Sequence, residues 1–311
     1  KLVGNSSQEK ALYFRNVLLK DALFVQALYR EYQELSNIID FKVKHTFDYM
    51  QEIIKDTTNQ WDHLSKIFTK ENNLGKLQEI TLGAGDTHNG GKSVSILKFS
   101  CGKNVVYKPR DLQLEKGFYD FIQWINQQER ENSLDLRAAK VHFIEHAGWV
   151  ECIEYKTCET SEQIKRFYYR TGQLLGILYA VNGKDFHYEN IIAQGEYPIL
   201  IDLETFLHPD LHTVDKNNAS ASMIANEIIS SSVDGIGLLP SPIINNKTNK
   251  SVDVGGVGAE EVQVSPFKST FIADIDSDQV RITKDYGLLG TQKNNPNLNG
   301  IVLKSKDYLE Q

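Results

Sequence analysis

Three oxygen-bearing side chains stand in sequence late in the first two thirds of the chain: Asp185, then Asn190, then Asp202 at the end of the apolar segment Pro198-Ile199-Leu200-Ile201. Magnesium is a hard cation that takes carboxylate and amide oxygens and bridges a triphosphate, so its ligands must converge from neighbouring loops or strands. A loop Asp beside an acceptor hydroxyl, an Asn on the metal and a strand-end Asp on the metal are the working parts of kinase-type phosphoryl transfer. Taken singly, Asp-x-His-x-x-Asn is an ordinary Asx-type turn. Two features upstream, in the order this chemistry needs, decide between the readings.

The first is Lys108, at the end of the β-type run Val105-Val106-Tyr107-Lys108 and just before Pro109, which cannot donate to a ladder. A lysine there reaches a nucleotide's phosphates when a glutamate from a nearby helix orients it, and Glu115 is the nearest candidate. The second is the glycine-rich stretch Gly85-Asp86-Thr87-His88-Asn89-Gly90-Gly91-Lys92-Ser93. It nearly spells a Walker loop, but its glycine spacing is wrong and a strand, not a helix, follows. It reads instead as a hairpin whose backbone amides, at Gly85, Gly90 and Gly91, cover phosphates. Two histidine pairs, His142 with His146 and His208 with His212, stand at the four-residue spacing of helical zinc sites. Neither lies on a helix-like run, so hydrogen-bonding roles come first.

The elements that must hold these residues follow from periodicity. From Asn5 to Leu74 there is no glycine or proline, and apolar residues recur at helical spacing, which predicts two or three amphipathic helices. Strands are predicted over 93–99 and 105–108, a helix after Asp111 as N-cap, and strands over 141–144 and 149–155 about a turn at His146-Ala147-Gly148. A long helix from Ser161 to Ala180 leads into the polar loop 182–190. A hairpin about Gly195 follows, then a helix over 219–230. Residues 234–270, rich in Gly, Ser and Asn, read as long loops.

Bulk properties set the frame. The chain has 311 residues, 41% hydrophobic and 24% charged, which excludes wholesale disorder. Its 34 basic against 41 acidic residues, a net charge of −7, argue against a general nucleic-acid binder. Cys101, Cys152 and Cys158 are an odd count without a CxxC pair, which fits a reducing cytoplasm. No apolar run predicts a transmembrane segment. The opening at Lys1 and the ending at Gln311 read as a piece of a larger protein.

Gly85-Asp86-Thr87-His88, Val106-Tyr107-Lys108-Pro109-Arg110, Asp185-Phe186-His187-Tyr188-Glu189-Asn190 and Leu200-Ile201-Asp202-Leu203-Glu204-Thr205 together resemble the dehydratase domain of class II (LanM-type) lanthipeptide, or lantibiotic, synthetases. The match runs in order across roughly residues 80–212, and Asn295-Pro296-Asn297-Leu298 is similar to a later family stretch. The resemblance implies an α+β, two-lobed lipid-kinase-like or protein-kinase-like fold with an N-terminal helical extension. Its expected parts are a helical region over 1–80, an N-lobe with the glycine-rich hairpin over 81–160, and an incomplete C-lobe over 161–311. It implies phosphorylation of Ser and Thr in a leader-bearing ribosomal precursor peptide with ATP and Mg²⁺, then phosphate elimination to dehydroamino acids. Lys108, Asp185, His187, Asn190 and Asp202 match the phosphorylation residues, with Asn190 and Asp202 as metal ligands. Asp86 and His88 match the elimination residues. The family's elimination Arg and Thr are expected beyond Gln311, as is a zinc-binding C-terminal cyclase domain, which would be a partner. Two other readings keep part of this pattern: a small-molecule or lipid kinase without elimination, and a non-catalytic leader-peptide-binding module.

Overall fold

The computed structural model describes residues 2–302, except 86, 89, 129–132, 210–219, 259–261 and 290–292. Helix and sheet are mixed in an α+β arrangement. The glycine-free N-terminal run forms α1 (Ser7–Asn16), α2 (Ala22–Glu31), α3 (Gln33–Asn59) and α4 (Trp61–Phe68), where spacing alone predicts two or three helices. The extra break comes at Asp21. Its carboxylate accepts from Leu23 N–H at 2.9 Å and caps a new helix, which competes with continuing the old one. The second half of α3 buries Tyr49, Ile53, Asp56 and Thr57, spaced i, i+4, i+7, i+8 on one face.

That face lies on an antiparallel sheet. Its strands are β1 (Leu77–Thr81), β4 (Ser95–Phe99), β5 (Asn104–Lys108), β6 (Val141–Ile144) and β7 (Ala147–Glu151), in the order β1-β4-β5-β7-β6. Between β1 and β4 the glycine-rich turn carries a two-residue ladder, β2 (Thr87–His88) with β3 (Lys92–Ser93). Tyr49, Ile53, Leu64 and Phe68 from α3 and α4 share one core with Leu97, Phe99, Tyr107 and Trp149 of the sheet. Burying side chains of this size contributes about 1.5–3 kcal/mol each. The turn expected at residues 146–148 is shorter than that: Ala147 and Gly148 already pair in β7. At Gly148 a Cβ would stand 2.4 Å from Leu112, so the residue belongs to close packing and not to a turn.

After β5 comes α5 (Gln113–Gln127). Asp111 does not occupy the cap position itself, which falls on Leu112, but its carboxylate accepts from Gln113 N–H at 2.9 Å. Helix α6 spans Ser161–Ala180, as the sequence predicts, and Thr160 caps it, its hydroxyl accepting from Gln163 N–H. Phe118, Ile122 and Ile125 of α5 pack with Leu174 and Leu178 of α6, with Phe186, and with Leu200 and Phe206 around the hairpin β8 (Ile191–Gln194) and β9 (Tyr197–Leu200). A single core therefore backs both α5 and the polar loop.

Beyond α7 (Ala221–Ser230) the stretch read as loops contains β10 (Pro242–Asn245), β11 (Lys250–Asp253) and most of β12 (Val264–Ala273), which pairs with β13 (Arg281–Leu288). These strands are largely solvent-facing, so the alternation that marks a half-buried strand is faint. The tip of the β12–β13 hairpin returns to α1, where Arg15 Nη1 meets Asp276 Oδ1 at 2.8 Å and Lys10 meets Asp278 at 3.5 Å. The short strands β14 (Asn297–Leu298) and β15 (Ile301–Val302) close the described chain. Asn297 C=O accepts from Cys158 N–H. No helix among the described residues is long and apolar enough to cross a membrane.

Candidate active site

Strand β5 delivers Lys108. Its position opposite Gly148 on β7 and the proline after it stop the ladder at this point. The side chain is buried, and Nζ donates to the Ile201 carbonyl at 3.1 Å. The same ammonium lies 3.6 Å from Glu115 Oε1 and 3.8 Å from Asp202 Oδ1. The glutamate chosen from sequence is thus the one the first turn of α5 brings to the lysine. Glu115 is 2% exposed, so its charge needs cations close by.

Arg110 is the second cation. Nη2 stands 2.6 Å from Glu115 Oε1 and 3.2 Å from Asp202 Oδ1, while Nε reaches Glu204 Oε1 at 2.7 Å. Sequence reasoning gave neither Arg110 nor Glu204 a role. The one local signal was their place two residues after Lys108 and Asp202; their partners lie on elements that meet only in the fold. The five groups form a cluster of two cations and three carboxylates.

The polar loop holds the other half. Two Asx residues take left-handed backbone, Asn182 at φ 54° and Asp185 at φ 65°, a conformation their short polar side chains tolerate. The loop is stitched from outside. Lys184 N–H donates to Thr205 C=O, Phe186 N–H to Ile236 C=O, and Tyr188 N–H to Val254 C=O. Gly237 takes φ 85° directly behind it, and a Cβ there would lie 3.2 Å from Phe186 N. Inside the loop, Asn190 Nδ2 donates to Asp185 C=O at 2.8 Å. Ile201 N–H donates to Asn190 C=O at 3.0 Å, which brings Asp202 beside Asn190. His187 Nε2 is 3.6 Å from Asp185 Oδ1, and its Nδ1 accepts from Glu189 N–H. Burial, with the Glu189 carboxylate, pushes the Tyr188 phenol up to about 12, so it remains a donor to Glu189 Oε1.

A cleft of about 470 Å³ opens beside Asp185 and His187, walled on the far side by Asp234, Ser241 and Val254. Those three walls lie on the segment read as loops. The arrangement offers a carboxylate and a histidine lining a cavity, an amide and a carboxylate on adjoining chain segments, and a buried lysine beside a half-buried arginine. Asn190 and Asp202 have the donor chemistry a hard divalent ion needs, and Lys108 and Arg110 offset two of the three carboxylate charges of the cluster. A second cluster with metal-type ligands exists on α3 and the β6–β7 turn: Glu52, Asp56 and His146. Each is already partnered, Glu52 by Lys92, and Asp56 by the Tyr107 hydroxyl and His146. His142 is bonded to Gln60, and His212 lies outside the described residues.

The glycine-rich turn is not joined to the Lys108–Arg110–Glu115–Asp202–Glu204 cluster by any hydrogen bond or ion pair among the described residues. Gly90 and Gly91 take φ 82° and 106°, a region open to glycine, and Gly85 faces Val94. Asp86 lies outside the described residues, and His88 is placed through its backbone in β2. Cys152 and Cys158 are poor nucleophiles: burial pushes the Cys158 thiol up to about 11 and raises Cys152 as well.

The family profile of a domain of unknown function, DUF4135, matches residues 32–311. The chain is also 26% identical over 282 residues to the lacticin 481/lactococcin biosynthesis protein LcnDR2 of Lactococcus lactis subsp. lactis. That match covers 86% of the chain, which spans about 30% of the relative's length.

Proposed function

We propose, from the premise that this chain belongs to the DUF4135 family, the domain found in LanM-type lanthipeptide synthetases, that it dehydrates Ser and Thr of a ribosomal precursor peptide by ATP-dependent phosphorylation followed by phosphate elimination. The reading extends to a kinase-like two-lobed architecture, with the sheet and α5 as one lobe and the α6 region as the other. The observation that carries it is the meeting of Lys108, Glu115 and Asp202, from three separate elements, next to the Asp185–Asn190 loop. A lantibiotic biosynthesis protein as relative supports the substrate class.

In phosphorylation, Asp185 accepts the proton of the peptide hydroxyl presented in the cleft, and His187 beside it orients that carboxylate. Lys108 lays its ammonium against phosphate charge, held in direction by Glu115, the carboxylate that Arg110 also pairs. Asn190 and Asp202 would hold Mg²⁺, which supplies positive charge across the phosphates when bound. Elimination uses different residues. Phosphorylation has turned hydroxide into a good leaving group, so a base at the peptide's Cα proton and a donor on the departing phosphate suffice. Asp86 and His88 fill those roles. A peptide leader and a cyclase domain are the expected partners, and the cytoplasm, where ATP is supplied, is the expected location.

The test is the mass of a precursor peptide incubated with the full-length protein, ATP and Mg²⁺. Loss of one water per modified residue supports dehydration. Gain of phosphate alone selects a kinase, and unchanged mass with peptide still bound selects a binding module.

A further inference from the structure

We propose that helix α3 positions the His88-bearing arm of the glycine-rich turn, with Tyr49 and Glu52 as positioning residues for the elimination step. The inference rests on the elimination role given to His88 above.

The turn between β1 and β4 has two arms paired in register, Thr87 with Ser93 and His88 with Lys92. Whatever fixes the returning arm therefore fixes the backbone of the outgoing one. The returning arm is tied to α3 at both residues. Lys92 Nζ meets the two Glu52 oxygens at 2.7 and 2.6 Å, and the Ser93 carbonyl accepts from the Tyr49 hydroxyl. That hydroxyl also lies 3.3 Å from Ser95 Oγ. Tyr49 and Glu52 stand three residues apart, on one face of the helix. The ring of Tyr49 is buried in the core shared by α3 and the sheet, so the tie has a rigid base. Nearer the apex, the His45 ring comes within 3.6 Å of where a Cβ on Gly90 would be.

The same helix face reaches the strand that carries Lys108, through the Tyr107 hydroxyl donating to Asp56 Oδ2 at 2.9 Å. The two attachments differ in consequence. Strand β5 is held on both sides, by β4 and β7, so the ladder keeps Lys108 in place without α3. The β2–β3 ladder has two residue pairs and pairs with no other strand among the described residues. Its base is closed by Ala84 N–H donating to Val94 C=O and Gly83 N–H to Ser93 Oγ, and α3 supplies the tie from outside the turn. Displacing a reacting group by about 1 Å can cost up to about 10²-fold in rate, so loosening this tie strikes His88 before it strikes phosphoryl transfer.

The experiment uses the full-length protein carrying Glu52→Gln, Lys92→Met or Tyr49→Phe, each close in size to the native residue. Phosphorylation of a precursor peptide and elimination from a synthetic phosphoserine peptide are timed separately. Backbone amide exchange over residues 82–94 is followed in parallel. Elimination should fall about tenfold or more and phosphorylation, which needs the turn only to cover ATP's phosphates, by clearly less, so phosphopeptide builds up. Amide exchange in the turn should quicken, and the double reversal E52K/K92E should restore elimination. Equal loss of both steps, or failure of the reversal to rescue, overturns the positioning role. Unchanged exchange overturns the tether itself, whatever the enzyme does. Normal elimination by His88→Ala would instead refute the role given to His88, while the exchange data still judge the tether.

Discussion

Lys108 Nζ stands 3.6 Å from Glu115 Oε1, and the glutamate is the more deeply buried of the two. The lysine is therefore aimed by a carboxylate that solvent does not reach. Glu115→Gln keeps the shape and removes the charge. It should leave Lys108 to the Ile201 carbonyl and Asp202, lower phosphorylation by up to about 10²-fold and raise KM for ATP. Steady-state kinetics with ATP varied would check it, and wild-type constants would remove Glu115 from the site.

Arg110 touches three carboxylates with one planar guanidinium, which a lysine cannot reproduce. Arg110→Lys should cost about tenfold or more in phosphorylation despite keeping the charge. Near-native turnover in this variant would show that charge alone matters there.

Gly237 backs the Asp185 loop at φ 85°, a left-handed conformation that strains any side chain, and a Cβ there would press against Phe186 N at 3.2 Å. Gly237→Ala should destabilise the protein by about 1–3 kcal/mol and slow phosphorylation by displacing Asp185 and Asn190. Thermal unfolding read beside peptide phosphorylation tests both halves. A variant with normal melting and normal turnover would contradict the account of how the loop is held.

Glu196 is bonded by Arg166, and by Arg170 Nη1 at 2.8 Å, and these hydrogen bonds hold its carboxyl below the ordinary value of 4.5. A lowered folded-state value means the group stabilises the protein fully above the unfolded value and loses that contribution as pH falls through the folded one. Glu196→Gln should therefore melt lower than wild type at neutral pH. The gap should narrow as pH drops below 4.5. A gap that stays constant with pH would mean that the charge on Glu196 contributes nothing.

What the sequence made legible was local. The α6 helix, the β4–β5 hairpin and the β8–β9 hairpin each carry their period, cap or turn within a few residues. Lys108, Asp185, Asn190 and Asp202 stood out because metal and phosphate chemistry admits few side-chain types. Arg110 and Glu204 did not, since their partners lie on elements that meet only in three dimensions. Strands β10 to β12 were missed because solvent-facing strands lack strict alternation, and Asn and Gly in their turns read as loop. The attachment of α3 to the glycine-rich turn was invisible for a third reason: Tyr49 and Glu52 look like any core and surface pair on an amphipathic helix.

The central claim is that one chain carries two separable reactions, and the mass of the peptide made by His88→Ala tests it most directly. In the full-length protein with ATP and Mg²⁺, this variant should convert the precursor to phosphopeptide that persists, since losing a positioned acid or base costs about 10²–10⁴ in rate. Asn190→Ala, run beside it, should give peptide of unchanged mass. Fully dehydrated product from His88→Ala, or phosphopeptide from neither protein, would contradict the account.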